Sequence, residues 1–326
     1  MEIVVSRWAE LTAFAGSADK GRALLRDGTY RRVLRDAFVL GDVPDSPETR
    51  LAALRRVVPE GVVLSHWTAL WVLGLDVLPR ARDKVDLLDL TTGRGLRLAR
   101  RPGVRTHSAL VTDGDLCEVE GLRLVSAARA FVDVARSYGV VEGVACGDAA
   151  LRAGATTVDR IEAAVDRATG LRWVSRVRDA MRHLDARSES LMESRLRVGF
   201  VLAGGPRMTA QVDLYDEDGR HRGRSDMFLR GVVVEYDGRK ERLERARFGS
   251  DRARGNDLAD LEVEVRRFSA DQYYKTTPGQ RLAVLHRALA VAEGRRRSRL
   301  RFGPDTLPAP RLRPLPTVAE GLPRAA

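Results

Sequence analysis

Residues 232–238 read Val-Val-Val-Glu-Tyr-Asp-Gly, an apolar run that ends abruptly in acids. Three successive β-branched residues predict a buried strand. Side chains two apart on a strand share a face, so Glu235 and Asp237 project together. Carboxylates rarely end a buried strand without a partner, because taking a charge out of water is costly. Working upstream, Gly231 turns the chain, and Arg222–Leu229 reads as a return strand carrying Asp226. Asp216-Glu217-Asp218-Gly219 is a turn, and Met208–Tyr215 alternates as a strand. Before it, Ser188–Ala203 predicts an amphipathic helix, with Met192, Leu196 and Phe200 at four-residue spacing. Gly204-Gly205-Pro206 stops it. Glu189 and Glu193 are four apart and share a helix face. The segment is therefore a helix and three antiparallel strands, with Glu193, Asp226, Glu235 and Asp237 at fixed places.

Clustered carboxylates repel one another unless a cation lies between them. A hard ion such as Mg2+, or Mn2+, takes a few oxygen ligands and keeps several waters. Asp226 and Glu235 are the candidate metal ligands, with a backbone carbonyl near Tyr236. Glu193, from the facing helix, would hold a metal-bound water, and Asp237 is a further acid. A metal there would serve phosphodiester hydrolysis by lowering the pKa of an attacking water, polarising the phosphate and neutralising developing charge. Arg239 and Lys240 are the nearest basic side chains in sequence. The bland alternative is a solvated strand end, with Glu193 paired to Arg197.

The order Glu193, Asp226, Glu235-Tyr236-Asp237-Gly238 resembles the PD-(D/E)xK nuclease superfamily. In particular it is similar to small endonuclease-like domains related to the very-short-patch-repair (Vsr) nucleases. Asp251, Arg254 and Leu258 fit the helix that follows in those domains, and Val263-Glu264-Val265-Arg266 fits their final strand. The resemblance covers about residues 187–292. It implies a restriction-endonuclease-like α/β domain with a mixed sheet and an Mg2+-dependent DNA endonuclease. The implied site is Glu193, Asp226, Glu235, Asp237 and Lys240, with Arg239 and Arg254 at the DNA. Two positions depart from the pattern. The superfamily lysine two after the Glu is Asp237, and the downstream basic position three after the Gly is Glu241, with Lys240 one place early. That shift supports an alternative reading, a non-catalytic DNA-binding regulator or antitoxin-like protein with a degenerate nuclease fold.

The first 75 residues read as helices at Ser6–Ala15 and Ala18–Asp27, a terminating Gly28, and short strands at Tyr30–Leu34 and Ala37–Leu40. Helix, helix, glycine turn and wing is the order of a winged helix-turn-helix. Arg22, Arg26, Arg31, Arg32 and Arg35 cluster there and would meet phosphates. Two helices follow at Thr49–Val58 and Ser65–Leu73, with Ser65 as the expected N-cap. His66 reads as a packed or hydrogen-bonded residue ahead of a ligand. Residues 83–125 alternate in short strand-like runs at Val85–Leu88, Gly95–Leu98, Val104–Thr106 and Leu122–Val125. Ser126–Ser137, Val141–Ala153 and Thr157–Ala168 return to helical spacing. No catalytic cluster is legible in 76–170. The stretch GLRLVSAARAFVDVAR at 121–136, with GDAALR at 147–152, resembles bacterial AbiEi-type antitoxin or transcriptional-regulator domains. That resemblance implies a winged helix that binds DNA. Arg129 and Asp133 in it read as a helical salt bridge.

Composition bounds these readings. The chain has 326 residues and a net charge of +11, with 52 Arg but only 4 Lys. Residues 1–180 hold 27 basic and 24 acidic residues, and 181–326 hold 29 and 21, so +8 travels with the second half. Such an excess suits a polyanionic partner, although Arg richness is also a coding habit of GC-rich genomes. Cys117 and Cys146 are too few for a disulfide scaffold or thiolate zinc finger and fit a reducing cytoplasm. Walker and G-x-S-x-G motifs are absent, and no apolar run is long enough to span a membrane. The chain divides into a winged-helix-like module (1–75), an α+β antitoxin-like module (76–170), a helical connector (171–187), the nuclease-like domain (188–293) and a basic, then Pro-rich tail (294–326) expected to be disordered. DNA is the expected partner, with a homodimer or a cognate toxin-like protein as further possibilities.

Overall fold

A computed structural model describes residues 3–58, 61–75, 77, 88–92, 104–237, 263–294 and the backbone of 301–302. In chain order its helices are α1 (Trp8–Ala15), α2 (Ala18–Arg26), α3 (Pro47–Val57), α4 (His66–Val72), α5 (Ala127–Tyr138), α6 (Val140–Arg152), α7 (Val158–Arg167), α8 (Val174–Met181), α9 (Leu191–Leu202), α10 (Ala270–Lys275) and α11 (Pro278–Gly294). Its strands are β1 (Tyr30–Leu34), β2 (Ala37–Leu40), β3 (Val63–Leu64), β4 (Leu88–Thr92), β5 (Val104–Ser108), β6 (Leu116–Val119), β7 (Leu122–Val125), β8 (Thr209–Tyr215), β9 (His221–Leu229), β10 (Val232–Asp237), β11 (Glu264–Ser269) and β12 (Arg301–Phe302). The chain is thus a mixture of helices and mixed sheets. Among the described residues no helix is long and apolar enough to cross a membrane. The strand readings at Val85–Leu87 and Gly95–Leu98, and the helix reading around Asp251, Arg254 and Leu258, lie outside the described residues. So do Arg239, Lys240, Glu241 and nearly all of the tail.

The described residues form two compact units. One takes 3–137 and 155–174; the other takes 138–154 and 175 onward. In the first, the helix–helix–strand–strand order appears where the sequence places it. Ser17 caps α2 by accepting the Lys20 N–H at 3.2 Å. Gly28 follows with φ of 84°, a left-handed geometry that favours glycine. β1 and β2 pair antiparallel. A five-stranded mixed sheet follows in the order β5-β4-β3-β7-β6. The expected Arg129–Asp133 salt bridge is present at 3.0 Å, and it is larger than a single pair. Arg129 also donates to Asp115 Oδ2 at 2.7 Å and to the Leu110 carbonyl at 3.1 Å.

The second unit has a five-stranded sheet in the order β11-β10-β9-β8-β12. β10 and β11 run parallel and the other neighbours antiparallel. One face meets α9 and α11 through Leu196, Phe200, Met227, Val234, Leu282 and Leu285. α11 opens on a capping box, with Thr277 and Gln280 each accepting the other's backbone N–H. α9 ends in a Schellman motif: Gly204 N–H reaches the Val201 carbonyl and Gly205 N–H the Phe200 carbonyl. Gly204 supplies the left-handed residue, with φ of 87°.

Three expectations are corrected. The stretch 172–187 is helical only over Val174–Met181. Arg301–Phe302, in the tail expected to be disordered, pairs antiparallel with β8. And α6, read as part of the 76–170 module, lies in the second unit. The reason is a buried ion-pair clasp with α9. Asp148 accepts Arg197 Nη2 and the Ser194 hydroxyl, each at 2.7 Å, and Glu142 accepts Arg195 through both oxygens at 2.9 and 2.7 Å.

Candidate functional site

Two of the expected acids, Asp226 and Glu235, fall on one level of the second sheet. β9 and β10 pair from Val232–Leu229 to Val234–Met227, so the next step brings Glu235 opposite Asp226. At that step the Asp226 carboxylate replaces the backbone acceptor and takes the Tyr236 N–H at 2.7 Å. On the other side, Gln211 lies between the pairs Ala210–Met227 and Val212–Ser225, opposite Asp226. On the far side, β11 places Arg267 in register with Glu235. Gln211, Asp226, Glu235 and Arg267 therefore form a row across four strands. Asp237 follows Glu235 by two residues at the end of β10, in register with Ser269.

Glu193 joins this row through Gln211. It is buried on the first turn of α9, where its Oε2 accepts Gln211 Nε2 and the Glu189 N–H, each at 2.8 Å. Burial pushes its carboxyl pKa up, against those hydrogen bonds. The surface pair with Arg197 does not form, because Arg197 is buried on Asp148. Gln211 is itself buried with φ of 52°, a left-handed backbone that a non-glycine residue in a strand rarely adopts. Glu235 is buried and accepts Arg267 Nε at 2.9 Å.

Sequence reading missed Gln211 and Arg267. For Gln211 the only signal was a polar residue in a strand near the helix stop. Arg267 could be found only from strand register. Lys240, Arg239 and Arg254 lie outside the described residues.

At the N-terminus, Arg26, Arg32 and Arg35 are exposed, and exposed Arg22 pairs with Asp19. Arg31 differs. It is half-buried, and its Nε and Nη2 both donate to the Val43 carbonyl, at 2.9 and 2.7 Å, so it braces β1.

The first unit holds a cluster that the sequence did not reveal. Ser65 does not cap α4 with its side chain. Its hydroxyl instead meets His66 Nδ1 at 2.9 Å and receives the Thr91 hydroxyl at 2.8 Å. The other His66 nitrogen, Nε2, meets the Ser137 hydroxyl at 3.0 Å. His66 is thus hydrogen-bonded, as read. Its ring also stacks on His107, with centroids 3.7 Å apart, and His107 Nε2 meets Asp89 Oδ1 at 2.8 Å. Burial, then the neighbouring charges, hold the His66 pKa well below the usual imidazole value. Among the described residues, the grouping of three or more His, Cys, Asp or Glu with ligand atoms all within 4.8 Å of one another is His66, Asp89 and His107. The acids of the second sheet do not meet that criterion.

No protein-family profile matches the chain, and no curated protein matches it. Among solved structures, the Rv2827c protein from Mycobacterium tuberculosis is similar over 64% of this chain and 78% of that one, at 18% identity and a TM-score of 0.31. A likeness at that score carries no argument about fold or activity.

Proposed function

We propose that the second unit carries a nuclease-like site that hydrolyses DNA phosphodiesters with Mg2+ or Mn2+, and that the N-terminal helices and strand pair bind the DNA. The supporting observation is the placement of Asp226 and Glu235 side by side on adjacent strands, with Glu193 tied to the same level through Gln211. Two carboxylates from neighbouring strands suit a hard ion that takes one or two such ligands and keeps its waters. When bound, that ion supplies an acidified water and charge neutralisation at phosphorus. The chain's own groups do the rest. Glu193, a buried carboxyl whose pKa burial pushes up, would hold a water of that ion. Gln211 fixes its Oε2. Asp237 extends the acidic edge, and Lys240 is the basic group that would stabilise the leaving oxygen. Exposed Arg22, Arg26 and Arg32, with Arg239 and Arg254, would contact phosphates without reading bases. In this reading the two parts are a winged helix and a PD-(D/E)xK domain.

One observation favours a second reading. Arg267 already places a cation on Glu235 at 2.9 Å, so that acid has a counter-ion without a metal. A chain that keeps that pair would be a DNA-binding regulator with an inactive nuclease fold.

The test incubates purified protein with supercoiled and linear DNA in Mg2+, Mn2+ or EDTA, beside Glu235→Ala. The nuclease reading expects metal-dependent nicking that the variant loses. Equal behaviour of the two proteins in every metal sinks it, and DNA retardation that persists in EDTA then supports the regulator.

A further inference from the structure

We propose that His66, Asp89 and His107 form a second metal site, in the first unit, that takes a borderline divalent ion of the zinc class. Three elements distant in sequence supply the ligands: the first residue of α4, and β4 and β5, which pair in parallel with Thr91 opposite His107. Two imidazoles and one carboxylate are a donor set for zinc-like ions and a poor one for Mg2+, which wants oxygens. The existing geometry is close to that of a bound pair. Ligands on one zinc-class ion, with bonds of about 2.0–2.2 Å, sit roughly 3 Å apart. His107 Nε2 and Asp89 Oδ1 are 2.8 Å apart, so an ion would take the place of the proton between them. The His66 and His107 rings, inclined by 23°, would tilt further apart to turn their nitrogens to one ion.

The surroundings are those of a supported ligand set. Each His66 nitrogen faces a serine hydroxyl, so whichever one binds the ion, the other stays anchored. Ser65 is held in turn by Thr91, and the Asp89 N–H donates to the Thr68 hydroxyl at 2.8 Å. His66 pays for its position with a left-handed φ of 51°, a strained backbone for a buried non-glycine residue. A second carboxylate lies alongside. Asp133, one helical turn before Ser137 on α5, is buried, and its Oδ1 accepts Arg129 Nε at 3.0 Å. Its Oδ2 has no hydrogen-bond partner among the described residues. A buried carboxylate oxygen left without a partner is costly, and a nearby divalent cation would offset that cost.

The inference does not depend on the nuclease reading. To test it, the full chain is stripped of metal and titrated first with Co2+, then with Zn2+. The expected result is one equivalent of Co2+ with visible d–d absorption, displaced by Zn2+ and not by excess Mg2+. His107→Ala and Asp89→Asn, each checked for fold by circular dichroism, should weaken Zn2+ binding at least about tenfold. X-ray absorption at the zinc edge of the wild-type protein needs no variant, and it should count two imidazoles. A wild type that binds no zinc, a bound zinc with fewer than two imidazoles, or folded variants that bind as the wild type does would each overturn the site.

Discussion

Asp148 and Glu235 are both buried carboxylates of the second unit, and each meets a guanidinium: Arg197 Nη2 at 2.7 Å and Arg267 Nε at 2.9 Å. The arginines differ. The Arg197 side chain is 2% exposed and that of Arg267 is 45% exposed. Asp148 is also closed off by the Ser194 hydroxyl and the Asp185 N–H, each at 2.7 Å. It ties α6, α9 and the segment before α9 together, and no solvent-borne ion can compete for it. Glu235 sits at the end of a strand beside Asp226, with a counter-ion that reaches in from water and can leave. Burial of an acid therefore does not mark a functional site. The two acids differ instead in the exposure of their partners, and the proposed site is the one with the exposed partner.

The largest effect that can break this contrast is catalytic. Glu235→Ala should reduce Mg2+-dependent DNA cleavage by about 10³-fold, in the range for losing a group that stabilises transition-state charge. Its stability should stay within about 1 kcal/mol of wild type, because the lost pair is screened by solvent on the arginine side. Asp148→Ala should do the reverse. It strands Arg197 in the interior, and removal of one partner of a buried pair costs about 3–5 kcal/mol. Urea unfolding of the two variants side by side is the check. If Glu235→Ala unfolds as easily as Asp148→Ala, both acids are structural and the contrast collapses.

The contrast was only half legible in the sequence. Periodicity located α9 and strands β8 to β10, because Val232–Val234 and the Met192, Leu196, Phe200 spacing carry local burial patterns. Asp226 and Glu235 were found because acids beside a buried run stand out. The alternative that paired Glu193 with Arg197 fails because Arg197 turns to Asp148, and spacing on one helix says nothing of a second helix packed against it. The same limit hid the first-unit cluster. His66 and His107 are separated by strand β4, and only sheet pairing brings Asp89 and His107 to the N-terminus of α4. α6 was misplaced for a related reason: nothing in its own spacing names Arg195 and Arg197 of α9 as the partners of Glu142 and Asp148.

A smaller effect reads the buried clasp through pH. Burial pushes the Asp148 pKa up to about 6, from an ordinary value of 3.8, against the pull of Arg197. Between those values the folded chain holds a proton that the unfolded chain has released. This group's contribution to stability therefore falls as pH rises from about 4 to about 6 and is flat above that, with a slope of at most about 1.4 kcal/mol per pH unit. Carboxyls with lowered pKa values, such as Asp185, slope the opposite way at lower pH. Asp148→Asn removes only the first contribution, so the difference between wild-type and variant unfolding curves isolates it. Parallel curves from pH 4 to 6.5 would show that the clasp, like an exposed pair, is insensitive to burial.

The smallest effect sharpens the comparison at Glu235 itself. If Arg267 holds the place that a metal takes, the two compete, and Arg267→Gln should lower the Mn2+ concentration for half-saturation a few-fold. A few-fold change is below about 1 kcal/mol, as befits a half-exposed arginine. Mn2+ binding read by loss of the free-ion electron paramagnetic signal, without DNA, keeps the result separate from any contact between Arg267 and phosphate. The corresponding Arg197→Gln should leave Mn2+ binding untouched while destabilising the fold, since Asp148 has no path to a solvated ion. An unchanged or weaker Mn2+ affinity in Arg267→Gln would mean that the exposed arginine supports the acid row and does not compete for it. The inactive-fold reading would then lose the observation that favours it.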